Sequence, residues 1–261
     1  MAAVRPRGVG EILDTAFDVF AVRFAACLGL AALLWFPIRM AETALLETAS
    51  PQVTALFVAV PMVVEFITVA FVAQLVREQL QGGHLGAFQA MAGGLARTPG
   101  LIVIGLGTGI AIGLTWVCCF CSLGLIPLLV TWLLSVAPAV YVLERVTLPQ
   151  AIVRSTHLVR SSFPRFAGWY LLKLMMVTPL GGLAVLADSP EVQASLRAHL
   201  PLGEVSYLLV LAAVTALFAG LASAYSAVAM TVYYVDTRTR SEGFDLRLRL
   251  ERMARNRVEP A

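Results

Sequence analysis

TPGLIVIGLGTGIAIGLTWVCCFCSLGLIPLLVTWLLSVAPAVYVL, residues 98–143, runs for 46 positions without an Asp, Glu, Lys or Arg. One bilayer crossing takes about 20 apolar residues, so this stretch is long enough for two. The whole chain agrees with it: 59% of its 261 residues are hydrophobic and 13% are charged, against about 25% charged in soluble domains. A soluble fold would have to hide several such runs in one core. The expected class is therefore all-α, a polytopic membrane helix bundle.

Outward from that stretch, Gly/Pro punctuation and charges divide the chain into six predicted transmembrane helices, at about 24–46, 53–76, 99–120, 123–143, 163–187 and 204–235. They make one membrane domain, residues 1–240, with a cytoplasmic tail over 241–261. Arg5 and Arg7 are followed by Glu11, Asp14 and Asp18 before any apolar run begins. A cleavable signal has its apolar core directly after the basic start, so the first span is expected to be retained. Sixteen of the 18 arginines fall in the segments on one side of this topology, and only Arg39 and Arg197 on the other. Positive charge stays cytoplasmic during insertion, which places both termini inside, as an even number of spans requires. Arg outnumbers Lys 18 to 1, a usage that suggests a GC-rich bacterial genome and hence the bacterial plasma (inner) membrane.

Three cytoplasmic segments share a plan. VGEILDTAFDVFAVRF, residues 9–24, sets Val9, Ile12, Leu13, Ala16, Phe17, Phe20 and Phe24 at helical spacing, with Glu11, Asp14, Asp18 and Arg23 on the other face. LPQAIVRSTHLVRSSF, residues 148–163, aligns with it at an offset of 139 through Leu148, Ile152, Val159 and Phe163. LGAFQAMAGGLARTPG, residues 85–100, is a degenerate third copy. Each is expected to be an in-plane amphipathic helix leading into a hairpin of two spans.

Three stretches carry a family resemblance: RPRGVGEILDTAFDVFAVRF at the start, PAVYVLERVTLPQAIVRSTHLVRSSF over 138–163, and VYYVDTRTRSEGFDL over 232–246. They resemble the membrane domain of bacterial glycerophosphoryl diester phosphodiesterase: its GEILD-type opening, its glutamate at the end of the fourth span, and its closing Tyr, Asp-x-Arg and Glu-Gly-Phe-Asp. The resemblance implies a stand-alone member with six helices. In the phosphodiesterases that domain is joined to a soluble metal-dependent barrel, for which these 261 residues leave no room. The hydrolase activity therefore does not carry over, and no catalytic residue transfers.

Among individual residues, Glu65 is the sharpest. A carboxylate in mid-bilayer costs about 2.5–3.5 kcal/mol on insertion scales and should face the bundle interior or a wet cavity. Lys173 is its natural partner, since at 1.5 Å per residue both lie about 15–16 Å from the cytoplasmic span ends. The expectation is a direct or water-bridged Glu65–Lys173 pair, which either fixes helix register or lines a path; the alternative is two side chains solvated separately. Glu144 and Arg145, with Asp236 and Arg238, end spans at the cytoplasmic face as interfacial groups. Arg39 and Glu42 do so at the other face.

Gly105, Gly109 and Gly113 step by four residues, as do Ala212, Ala216, Gly220 and Ala224. Such stripes serve close helix packing, against some neighbour or each other. Cys118, Cys119 and Cys121 form a cluster without a fourth ligand, whereas zinc takes four. They are read as small apolar fillers, so no metal and no cofactor is expected. The tail sets five arginines between 247 and 257 against Asp245, Glu251 and Glu259, which suits contact with anionic lipid. Membrane lipids are the expected partners, a membrane protein or a second copy stays open, and nucleic acid is not expected. The function this implies is non-enzymatic: assistance to transport, lipid handling or envelope organisation. The alternative is a small-solute transporter or channel lined by Glu65 and Lys173. A membrane enzyme acting on lipid lacks any clustered His, Asp or Cys constellation.

Overall fold

The structure is a computed structural model that describes residues 6–45, 51–81, 86–118, 125–160, 162–199 and 203–243. Every regular element among them is an α-helix. In chain order these are α1 (Val9–Val22), α2 (Phe24–Leu45), α3 (Pro51–Gln81), α4 (Ala87–Leu95), α5 (Thr98–Cys118), α6 (Leu125–Leu134), α7 (Ala137–Leu143), α8 (Leu148–Val159), α9 (Phe163–Ala187), α10 (Pro190–His199) and α11 (Glu204–Glu242). Three of them, α2, α9 and α11, are long and apolar enough to cross a membrane, and α4 with α5 makes a fourth if that pair, bent by 67°, is one span.

The predicted helix over 123–143 is not continuous. It divides into α6 and α7 at Ser135–Val136, with Pro138 in the first turn of α7. Proline has no N–H to give to the preceding turn, and the Ser135 hydroxyl instead donates to the Trp132 carbonyl at 2.8 Å. The polar helix α10, between the last two long helices, was not anticipated from the sequence.

α11 is the axis of the bundle and packs against α1, α2, α3 and α9. At about 1.5 Å per residue its 39 residues reach about 58 Å, well beyond the ~30 Å of a hydrocarbon core. Its apolar half is built from small side chains that admit neighbours closely. Ala212, Ala216 and Ala224 are buried, and a Cβ on Gly220 would lie 3.4 Å from the backbone nitrogen of Ala32 in α2. On α5 a Cβ on Gly105 would lie 3.0 Å from Phe66 and 3.1 Å from the Val63 backbone of α3. The two stripes thus serve different neighbours, α2 and α3, rather than each other. Gly109 is half-buried, and Gly113 lies where side chains fall outside the described residues.

The three lead-in segments fold as α1, α4 and α8, and all three begin with one device. The residue before each helix is extended, and a Glu or Gln three positions later accepts its backbone N–H. The pairs are Gly8 with Glu11 at 2.9 Å, Gly86 with Gln89 at 3.4 Å and Thr147 with Gln150 at 3.1 Å. This contact satisfies an N–H that the helix start leaves orphaned. The buried face of α1, made of Ile12, Leu13, Ala16, Val19 and Phe20, packs on α11 and α9.

Candidate functional site

Two polar constellations lie along α11. The first is in its apolar half. Ser223 donates a short hydrogen bond to Glu65 Oε2 of α3. One turn further on, Lys173 Nζ of α9 donates to Ser226 Oγ at 3.2 Å. The ammonium also sits 5.3 Å from the Trp169 ring centre and 5.1 Å from that of Tyr170, where the ring faces attract a cation. The Glu65 and Lys173 heads therefore reach the same helix at neighbouring levels, each bonding a serine of α11, which packs on both α3 and α9, and the Glu65 charge acts on Lys173 across this step. Ser223 and Ser226, at i and i+3 in an alanine-rich run, are the sequence signal for these partners.

Glu65 of α3 lines a cleft of about 750 Å³ together with residues of α2, α9 and α11. The walls are mostly apolar or small: Val177, Gly181, Gly182, Ala184, Val185, Leu186, Ala219 and Ala222. Val185 and Leu186 are themselves 68% and 59% exposed, so the cleft opens on the flank of the bundle. Trp35 and Arg39 of α2 also line it. There Arg39 Nη1 binds Glu42 at 2.8 Å and Asp188 at 3.2 Å, which ties α2 to the end of α9. Burial raises the pKa of the Asp188 carboxyl, and the Arg39 charge opposes it. The indole N–H of Trp35 and Nε of Arg39 are buried donors with no acceptor among the described residues.

The second constellation is at the arginine-rich end. Asp236 is fully buried. It accepts the backbone N–H of Arg7 at 2.6 Å and binds Arg165 at 2.7 Å and Arg240 at 3.2 Å. Both guanidinium groups also donate to the Arg7 carbonyl. Beside it, Glu144 accepts from Tyr234 at 2.8 Å and from Arg154 at 3.2 Å, with Arg238 at 3.7 Å. Glu242 joins Arg154 and Arg238 from the end of α11. Glu144, Asp236 and Arg238 thus sit inside two networks. Arg145 does not: it is exposed, with φ of 55°, at the turn from α7 to α8. Arg154 and Arg165 reach their partners over long range, which leaves no local pattern, whereas Arg240 with Asp236 and Glu242 with Arg238 stand at i,i+4 on α11, a spacing visible in the sequence.

Among the described residues no group of three His, Cys, Asp or Glu side chains could hold a metal ion. Cys119 and Cys121 lie outside the described residues, as does the side chain of Cys118. The tail beyond residue 243 is also outside them. The chain matches no family model, no curated protein and no solved structure.

Proposed function

We propose that this chain is a non-enzymatic integral membrane protein of the bacterial inner membrane that holds an amphiphilic molecule in the cleft at Glu65. The carrying observation is the shape and lining of that cleft. Its lining is mostly apolar, it opens on the flank where acyl chains would lie, and Arg39, Glu65, Ser223 and Ser226 supply a few polar groups. Its ~750 Å³ falls within the 300–1,000 Å³ usual for ligand pockets. Lipid handling fits this lining better than a polar solute path, which needs polar groups along its length. The small-solute reading keeps one point in its favour: Glu65, Ser223, Ser226 and Lys173 form a continuous polar step across three helices.

The proposal includes six spans, with α1, α4 and α8 as in-plane helices and both termini cytoplasmic. The arginine distribution supports it. Kinship with the phosphodiesterase membrane domain belongs to the same proposal. Its support is that Arg7, Glu144, Asp236, Arg238 and Glu242, drawn from all three resembling stretches, meet at one end of the bundle.

The test is lipid retention by the purified chain in non-ionic detergent, read by native mass spectrometry. A Cβ on Gly181 or on Gly168 meets nothing within 4 Å, but only Gly181 lines the cleft. G181F should strip the retained lipid and G168F should not. Equal retention in native protein and G181F would refute the proposal.

A further inference from the structure

Close to the Asp236 network lies a second cavity, of about 380 Å³, lined by Ser162, Arg165, Thr237, Arg240 and Ser241 among others. No carboxylate is among its lining residues. Its two arginines are only partly used. Arg165 spends Nη2 on Asp236 and on the Arg7 carbonyl, and Arg240 spends Nε and Nη2 on the same two groups. A guanidinium has five N–H donors in a planar fork. Nε of Arg165 is buried without an acceptor among the described residues, and no bond is formed there by Nη1 of either arginine. Ser241 is exposed, and its hydroxyl bonds no described residue. The Thr237 hydroxyl donates to the Tyr233 carbonyl at 2.8 Å, and the Ser162 hydroxyl donates to the Val159 carbonyl of α8 at 2.9 Å and lies 3.5 Å from the Tyr233 hydroxyl, so the donors left for a ligand are those of the arginines and Ser241.

Two further features give the cavity a positive sign. Arg7, Arg165 and Arg240 converge where Asp236 supplies one negative charge and Glu11 acts on it as a second. The first turn of α9 starts at the cavity rim, at Ser162, and no side chain caps it. Pro164, in that turn and on the cavity wall, has no N–H to offer, so the turn adds only part of the positive charge of a helix start. Two forked cations and a free hydroxyl at one cavity without a carboxylate suit the charge and hydrogen-bonding needs of an oxyanion.

We propose that this cavity binds a phosphate group, either free phosphate or the headgroup phosphate of a membrane lipid. The proposal is independent of the cleft at Glu65. Arg165 and Arg240 hold the phosphate oxygens while their other edges hold Asp236, so occupancy tightens the junction of the N-terminal segment, α9 and α11.

The experiment measures the thermal midpoint of the full chain in maltoside micelles. One arm titrates inorganic phosphate against chloride at matched ionic strength. The other dopes the micelles with phosphatidylglycerol against diacylglycerol. Ser241→Asp places a negative charge at the rim beside Arg165 and Arg240, and Arg165→Gln removes one fork. The expected result is a saturable rise in the midpoint that disappears in S241D and, where that variant folds, in R165Q. A rise with inorganic phosphate assigns free phosphate, and a rise with phosphatidylglycerol alone assigns the lipid headgroup. No saturable rise in either arm, or a rise undiminished in S241D, overturns the proposal.

Discussion

Removing the Asp236 carboxylate should cost more stability than any other single polar change in this molecule. The residue is completely buried and faces two guanidinium groups and one backbone N–H. Breaking a buried pair from one side typically costs about 3–5 kcal/mol, because the remaining charge is left uncompensated. The two partners are not equal here. Arg165 is 18% exposed and its bond is 2.7 Å, whereas Arg240 is 44% exposed at 3.2 Å. An exposed pair contributes about 0–1 kcal/mol, so most of the loss comes from Arg165 and from the stranded N–H of Arg7, about 1–3 kcal/mol for a buried donor without a partner. Asp236→Ala should therefore lose about 3–4 kcal/mol. Asp236→Asn, which keeps one acceptor, should lose about 2–3 kcal/mol on the same reasoning.

The assay is unfolding of detergent-solubilised protein by titration with a denaturing detergent, followed by circular dichroism. Double-mutant cycles apportion the loss. Asp236 with Arg165→Gln should show a large coupling, and Asp236 with Arg240→Gln a coupling below about 1 kcal/mol. If Asp236→Ala unfolds where the native protein does, or if the Arg240 coupling exceeds that of Arg165, the assignment of Asp236 as the clamp of this end is wrong.

Two further substitutions test the backbone by the same titration. A methyl group at Gly94 would sit 2.6 Å from Cε1 of the buried Phe71 ring. Overpacking of about 1–3 kcal/mol should outweigh the helix-propensity gain of about 1 kcal/mol, so G94A should destabilise, whereas G29A, which meets nothing within 4 Å, should not. Arg145 holds φ of 55° in a region that costs a side chain about 1–2 kcal/mol, so R145G should raise stability by about 1 kcal/mol; a loss would mean that the arginine is needed at the turn.

The helical class and most helix ends were legible because they rest on local composition. α9 runs from Phe163 to Ala187, as the apolar run between Ser162 and Asp188 predicts. Glu65 was also legible as an interior group, since an intramembrane carboxylate has few places to go. The serine that bonds it, Ser223 of α11, was not. Depth along the helices put Lys173 at the right level, but depth does not say which helix stands between two others, and α11 does. The break at Ser135–Val136 was missed for the opposite reason. An apolar run hides a proline in its middle, where the hydropathy stays high while the hydrogen-bond ladder is interrupted.

The capping pairs bear on how the chain is organised. Gly8–Glu11 and Thr147–Gln150 are separated by the same 139 residues that align the apolar positions of α1 and α8. Apolar spacing alone could recur in any helix that rests on a bundle. A cap is a different kind of constraint, because it depends on a polar side chain three residues into the helix and on an extended residue before it. Two independent patterns at one offset, with a third cap at Gly86–Gln89, favour a repeated unit over three unrelated entries. On that account the units have diverged where they meet α11. The first sends its start, Arg7, to Asp236, the third sends Arg154 to Glu144 and Glu242, and the second does neither through α4, which packs instead on α3. The asymmetry leaves one end of α11 clamped by charge and its apolar half flanked by the open cleft at Glu65. That is the arrangement a helix needs if its packing around a bound amphiphile is to adjust while the ends of the units stay joined.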